Sequence, residues 1–134
     1  EYLTTEFRKL HQWVTFSSAT PLQYALADYL KTPAHYLGLS DFYQQKRDLF
    51  ASFFKDSRWK ILPSQGSFFQ CLDYSAISDE GDVDLAVRLT KELKVASIPV
   101  SVFYEKPTAD RILRFCFAKN DDMLQEAAQR LAKL

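Results

Sequence analysis

The sequence predicts an α+β fold, a small antiparallel or mixed sheet covered on one side by helices. Three observations carry this. The N-terminal stretch of the chain is helix-rich, the rest reads β-β-α-β-β-α, and one late run, Ile112–Ala118, alternates as a half-buried strand must. At 134 residues the chain is long enough to bury a core without metal or disulfide staples, and one domain, 1–134, is expected.

Glu1–Leu10 is weakly helix-competent. Thr20-Pro21 opens a helix over Leu22–Leu30, because Thr is a good cap and Pro fits the first helical position, where no N–H bond is needed. Thr32-Pro33 ends it, since the residue before Pro is pushed out of the α region. Ser40 is the next expected cap, with Asp41 in the first turn. Phe42, Leu49, Phe50, Phe53 and Phe54 then form one apolar stripe, read as core packing rather than a ligand groove. Trp59–Leu62 and Phe68–Tyr74 read as strands of an antiparallel hairpin, with Gly66 supplying the backbone angle that other residues avoid. Asp82 is expected to cap a helix reaching Lys94, along which Leu85, Leu89 and Leu93 recur every fourth residue. Val95–Val102 holds Pro99, so it reads as an edge or a strand end. Asn120-Asp121-Asp122 opens a last helix in which Leu124, Ala127, Ala128 and Leu131 share one face. The polar gap Glu105–Asp110, with Pro107 in it, is too short to separate a pair of domains.

Composition excludes several classes of function. Lys and Arg number 17 against 17 Asp and Glu, so no net charge draws the chain to nucleic acid or an acidic membrane. Aromatic residues reach 15%, so much of the core must be ring packing. No apolar run approaches the roughly 20 residues that span a bilayer, and the charged start EYLTTEFRKL holds no signal-peptide core. A cytoplasmic protein is expected. Cys71 and Cys116 stand in apolar runs without zinc-ligand spacing and read as buried free thiols. The chain opens without Met, as a processed product or a piece of something longer would.

One residue breaks the pattern. In Ile112–Ala118, Leu113, Phe115 and Phe117 face one way, and Ile112, Arg114, Cys116 and Ala118 the other. Arg114 is thus a guanidinium set among apolar neighbours. It cannot shed its proton, and burying it unpaired costs several kcal/mol. It needs an anion, an internal Asp or Glu or the carboxylate of a ligand, which a guanidinium grips through two parallel hydrogen bonds, unless the strand edge is open to water. Elsewhere no active site is complete. His11 and His35 lie apart, Ser17-Ser18 and Ser64 lack a nucleophile motif, and Gly38, Gly66 and Gly81 are too scattered to cradle a phosphate.

Five stretches in order resemble the C-terminal region of the fold-type I, class I/II aminotransferases, especially the methionine/kynurenine/glutamine branch. They are Lys9-Leu-His-Gln-Trp13, Phe16-Ser-Ser-Ala-Thr-Pro-Leu-Gln23, Pro63-Ser-Gln-Gly-Ser-Phe68, Val95–Phe103 and Leu113-Arg-Phe-Cys-Phe-Ala-Lys119. The resemblance implies that Arg114 holds the α-carboxylate of amino-acid and 2-oxo-acid substrates. It implies that Phe16 walls the substrate side-chain pocket of a neighbouring subunit in a homodimer, with Ser17 beside it. It also implies pyridoxal 5′-phosphate as cofactor, held with its catalytic lysine by a larger domain N-terminal to this region, so that no catalytic residue is expected in these 134 residues. Val100 stands where the family often has Gly, and Gln65-Gly66-Ser67 where many members have Gly-Gly. The rival expectation is a free-standing interaction module that kept the fold and lost the chemistry.

Overall fold

The computed structural model describes residues 1–106 and 108–134; the expected role of Pro107 lies outside the described residues. The backbone falls into two compact units, Glu1–Leu39 and Ser40–Leu134.

The first unit is helical: α1 (Tyr2–Val14), α2 (Thr20–Tyr29) and the short α3 (Ala34–Leu37). α1 runs four residues beyond the expected end at Leu10. α2 starts one residue earlier than a Thr20 cap would put it. Ala19 takes the cap position, Thr20-Pro21 supply the first turn, and the Gln23 side chain donates to the Ser18 carbonyl instead. No residue of this unit is buried.

The second unit holds the sheet. α4 spans Leu39–Ser52, so Ser40 lies inside the helix rather than capping it. The aromatic stripe outlasts the helix: Phe50 and Phe54 are buried, Leu49 and Phe53 half-buried, and Phe42 is exposed. Four strands follow, β1 (Lys60–Ile61), β2 (Phe69–Asp73), β3 (Ile98–Pro99) and β4 (Ile112–Cys116), in the order β1-β2-β4-β3. Every pairing is antiparallel, which settles the mixed alternative. In the hairpin loop it is Ser67, with φ 72°, that takes the left-handed conformation, while Gly66 does not. Pro99 lies on the edge strand, where its missing N–H costs no ladder bond.

α5 runs Asp82–Arg88 and widens into a π-helical turn over Leu89–Leu93, ended by Lys94 at φ 58°. Gly81 is its cap residue, so Asp82 starts the helix instead of capping it. α6 (Asp121–Leu131) starts after Asn120 as expected.

One face of the sheet is the core. Leu72, Leu113, Phe115 and Phe117 pack with Phe50 and Phe54, Leu85 and Leu89, and Leu124 and Leu131. Trp59 stands edge-on to Phe115 at 5.9 Å and donates its indole N–H to the Leu131 carbonyl. The other face carries Phe69, Cys71, Asp73, Ile112, Arg114 and Cys116, all half-buried. Both thiols are free, and half-buried rather than buried as the sequence suggests.

Candidate functional site

Arg114 sits in the middle of β4 and is paired on both sides, with Cys71 of β2 and with Ile98 of β3. The strand alternation read from the sequence holds: Leu113 and Phe115 are buried, while Arg114 faces the open side. Its guanidinium lies between two rings, the Cζ atom 4.2 Å from the centroid of Phe69 and 5.0 Å from that of Phe103. Phe69 is its diagonal neighbour on β2, opposite Cys116. Phe103 ends the 3-10 turn Ser101–Phe103 that follows β3.

No internal anion satisfies this arginine. Among the described residues, no carboxylate lies within ion-pair distance of Arg114, and its Nε is buried without a hydrogen-bond partner. Asp73 shares the face but is engaged elsewhere: its Oδ1 accepts from the Ser75 N–H at 2.8 Å. That bond, opposed by some burial and assisted by Lys60 and Arg111, holds the Asp73 carboxyl below its ordinary range. Cys71 is the nearest ionisable group across the ladder. Burial pushes its thiol up further than Arg114 pulls it down, so at neutral pH it offers no thiolate. Two of the three partners open to Arg114 from the sequence are thereby narrowed. Asp73, the carboxylate on this face, is engaged by Ser75, and a guanidinium with a buried, unpartnered Nε is poorly served by water alone.

The turn that carries Phe103 is pinned from below. Asp82 is only 5% exposed. Its carboxylate accepts the Ser101 backbone N–H at 2.7 Å and the Ser101 hydroxyl at 2.6 Å. The Val100 N–H reaches the Ile112 carbonyl at 3.4 Å, extending the β3–β4 pairing by one residue.

Phe16 and Ser17 belong to the first unit, Arg114 to the second. Phe16 has φ 53° and is 85% exposed. It stands just past the end of α1, in the left-handed position usually given to glycine. A bulky side chain there is uncommon and strained. Ser17 is exposed in the following loop.

The family described as Aminotransferase class I and II matches residues 3–131. The chain belongs to that family. It is similar to the methionine aminotransferase of Escherichia coli strain K12, 48% identical over 133 residues, covering 98% of this chain and 34% of that protein. It is 32% identical to the kynurenine–oxoglutarate transaminase of Dictyostelium discoideum, over 92% of this chain and 34% of the relative. Among solved structures, the Escherichia coli protein identified with a methionine aminotransferase function matches with a TM-score of 0.88 at 49% identity, covering 97% of this chain and 34% of that one. The N-succinyldiaminopimelate aminotransferase of Mycobacterium tuberculosis matches with a TM-score of 0.85 at 28% identity, over 98% and 35% of the two chains. The chain therefore spans about a third of the length of the relatives it matches.

None of the described lysines has the enclosed setting that would suit it to hold a pyridoxal cofactor as a Schiff base. A Schiff-base lysine needs an apolar or cationic enclosure that frees its amine. Here Lys46 is half-buried but paired with Asp121, and every other described lysine is exposed. No group of three or more His, Cys, Asp and Glu that could hold a metal occurs among the described residues, and none of their helices is long and apolar enough to cross a membrane. What this face of the sheet presents is the Arg114 guanidinium, its Nε without a partner among the described residues. Sequence reasoning finds that cation from strand alternation. It misses Phe69, Phe103 and the Asp82–Ser101 pair, whose meeting depends on strand register and on the path of the turn.

Proposed function

We propose that this chain is the C-terminal small domain of an aminotransferase. The parent enzyme moves the amino group of methionine, or another hydrophobic or aromatic amino acid, to a 2-oxo acid, and Arg114 binds the α-carboxylate that both substrates share. The observation that carries this is the guanidinium of Arg114, fixed on a central strand with its Nε buried and no carboxylate of the described residues beside it. The similarity to the Escherichia coli methionine aminotransferase supports the choice of amino acid. Pyridoxal 5′-phosphate belongs, in this proposal, to residues outside these 134, in a larger domain that also supplies the catalytic lysine.

Arg114 contributes binding and direction. Two parallel hydrogen bonds from a planar guanidinium fix the carboxylate in position and in plane. That in turn fixes the direction of the substrate's Cα–H bond, so the cation serves by placement rather than by proton transfer. The exposed, strained Phe16 and the neighbouring Ser17 are proposed to line the side-chain pocket of a second subunit in a cytoplasmic homodimer.

In the full-length enzyme, Arg114→Ala is expected to raise KM for amino acid and oxo acid together. Losing a charge-assisted bidentate contact is worth roughly 10- to 100-fold in each. Unchanged constants for both substrates would overturn the role of Arg114.

A further inference from the structure

The unpartnered Nε of Arg114 raises a second question: what sets the plane of the guanidinium before substrate arrives. An arginine side chain has several rotatable bonds, and hydrogen bonds through Nε are the usual way to fix its plane. Among the described residues that bond is absent. The groups left in contact are the rings of Phe69 and Phe103, at 4.2 and 5.0 Å. Ring faces attract a guanidinium and make no hydrogen bond with it, so both Nη groups stay free for an incoming carboxylate.

The two rings are held differently. Phe69 is fixed by the β2–β4 ladder. Phe103 is 62% exposed and is not held by core burial. Its place follows from the turn it ends, whose first residue, Ser101, is bound twice by the nearly buried carboxylate of Asp82. The core-facing start of α5 is thus linked by two hydrogen bonds and one short turn to a ring against Arg114.

We propose that Phe69 and Phe103 are positioning residues that orient the guanidinium for carboxylate binding, and that the Asp82–Ser101 contact holds Phe103 against it. This rests on Arg114 being the carboxylate receptor of the proposed function. Phe103 is the residue to test, since its exposure means that replacing it empties no core.

The experiment compares Phe103→Leu, which keeps apolar bulk without a ring face, with Phe103→Tyr, which keeps the face. KM and kcat are measured in the full-length enzyme with methionine and with 2-oxoglutarate, and Arg114→Lys and Arg114→Ala are run beside them. Phe103→Leu is expected to raise KM for both substrates by roughly five-fold, with kcat within about two-fold, and Phe103→Tyr to restore wild-type values. Phe103→Leu and Arg114→Lys should also be non-additive, because a lysine has no plane to orient. A leucine variant with wild-type constants, a tyrosine variant as poor as leucine, or strict additivity overturns the positioning role. The two proposals fail separately. If Arg114→Ala leaves both constants unchanged, the carboxylate receptor itself is wrong. If it raises them while Phe103→Leu does not, only the orientation by the ring is wrong.

Discussion

Tyr74 has no exposed surface, and its hydroxyl donates to the Glu80 carbonyl at 2.9 Å. Burial above all, and then the negative charge of Asp82, pushes its phenol up to about 12. In an unfolded chain a tyrosine ionises near 10. The folded state therefore holds this proton more tightly, a contribution to stability that is complete below about pH 10 and lost as the pH climbs to about 12. Tyr74→Phe is expected to cost about 1 kcal/mol at neutral pH, where the Glu80 carbonyl loses its donor. It should also flatten the fall in melting temperature across that alkaline window. Melting curves of both proteins between pH 7 and pH 12 check the pair of effects; equal alkaline slopes would contradict the assignment. Arg114 is the other residue that burial makes informative. Its oddity was legible in the sequence, because alternation along Ile112–Ala118 needs only the period of a strand. The rings around it were not, because Phe69 becomes a neighbour only once β2 and β4 are in register.

Among the elements, α6 shows how unequal two contacts on one helix can be. Leu124 is 2% exposed and packs in the core cluster, whereas Asp121 is well exposed and pairs with Lys46 of α4. Leu124→Ala should cost roughly 2–5 kcal/mol, the usual range for a core leucine. Lys46→Ala should cost less than about 1 kcal/mol, because an ion pair open to water on one side gains little. Denaturant unfolding of the two variants decides it, and similar losses would mean that α6 is held by charge rather than by burial. Helix and strand positions were largely legible from periodicity, while their ends were not. The caps expected at Thr20 and Asp82 fall one residue earlier, at Ala19 and Gly81, and Ser40 lies inside α4, since a shift of a residue or so at a helix end costs little. The hairpin turn likewise bends at Ser67 rather than Gly66; glycine permits the left-handed angle but does not compel the chain to use it there.

At the scale of the molecule, the two units differ in what holds them. Ser40–Leu134 encloses a core of aromatic and aliphatic side chains; Glu1–Leu39 buries none of its residues. Along α1, Leu3, Phe7, Leu10 and Trp13 are all at least 64% exposed. Limited proteolysis of this chain alone should cut within residues 1–39 first and leave the sheet-bearing unit intact. Equal survival of both units would overturn this expectation. The sequence has no linker near residue 39 to mark the boundary of these units, and periodicity reports which way side chains point and not where the chain packs.

The pairing of β4 on both sides has a thermodynamic consequence for Arg114. A strand with neighbours on either edge gives up its amide hydrogens to solvent only when the sheet around it comes apart. If Arg114 binds a carboxylate as proposed, that binding favours the folded sheet and adds to the stability of residues 40–134 as a unit rather than of one loop. Under the proposed function, carboxylate binding and the cohesion of the sheet are thermodynamically linked.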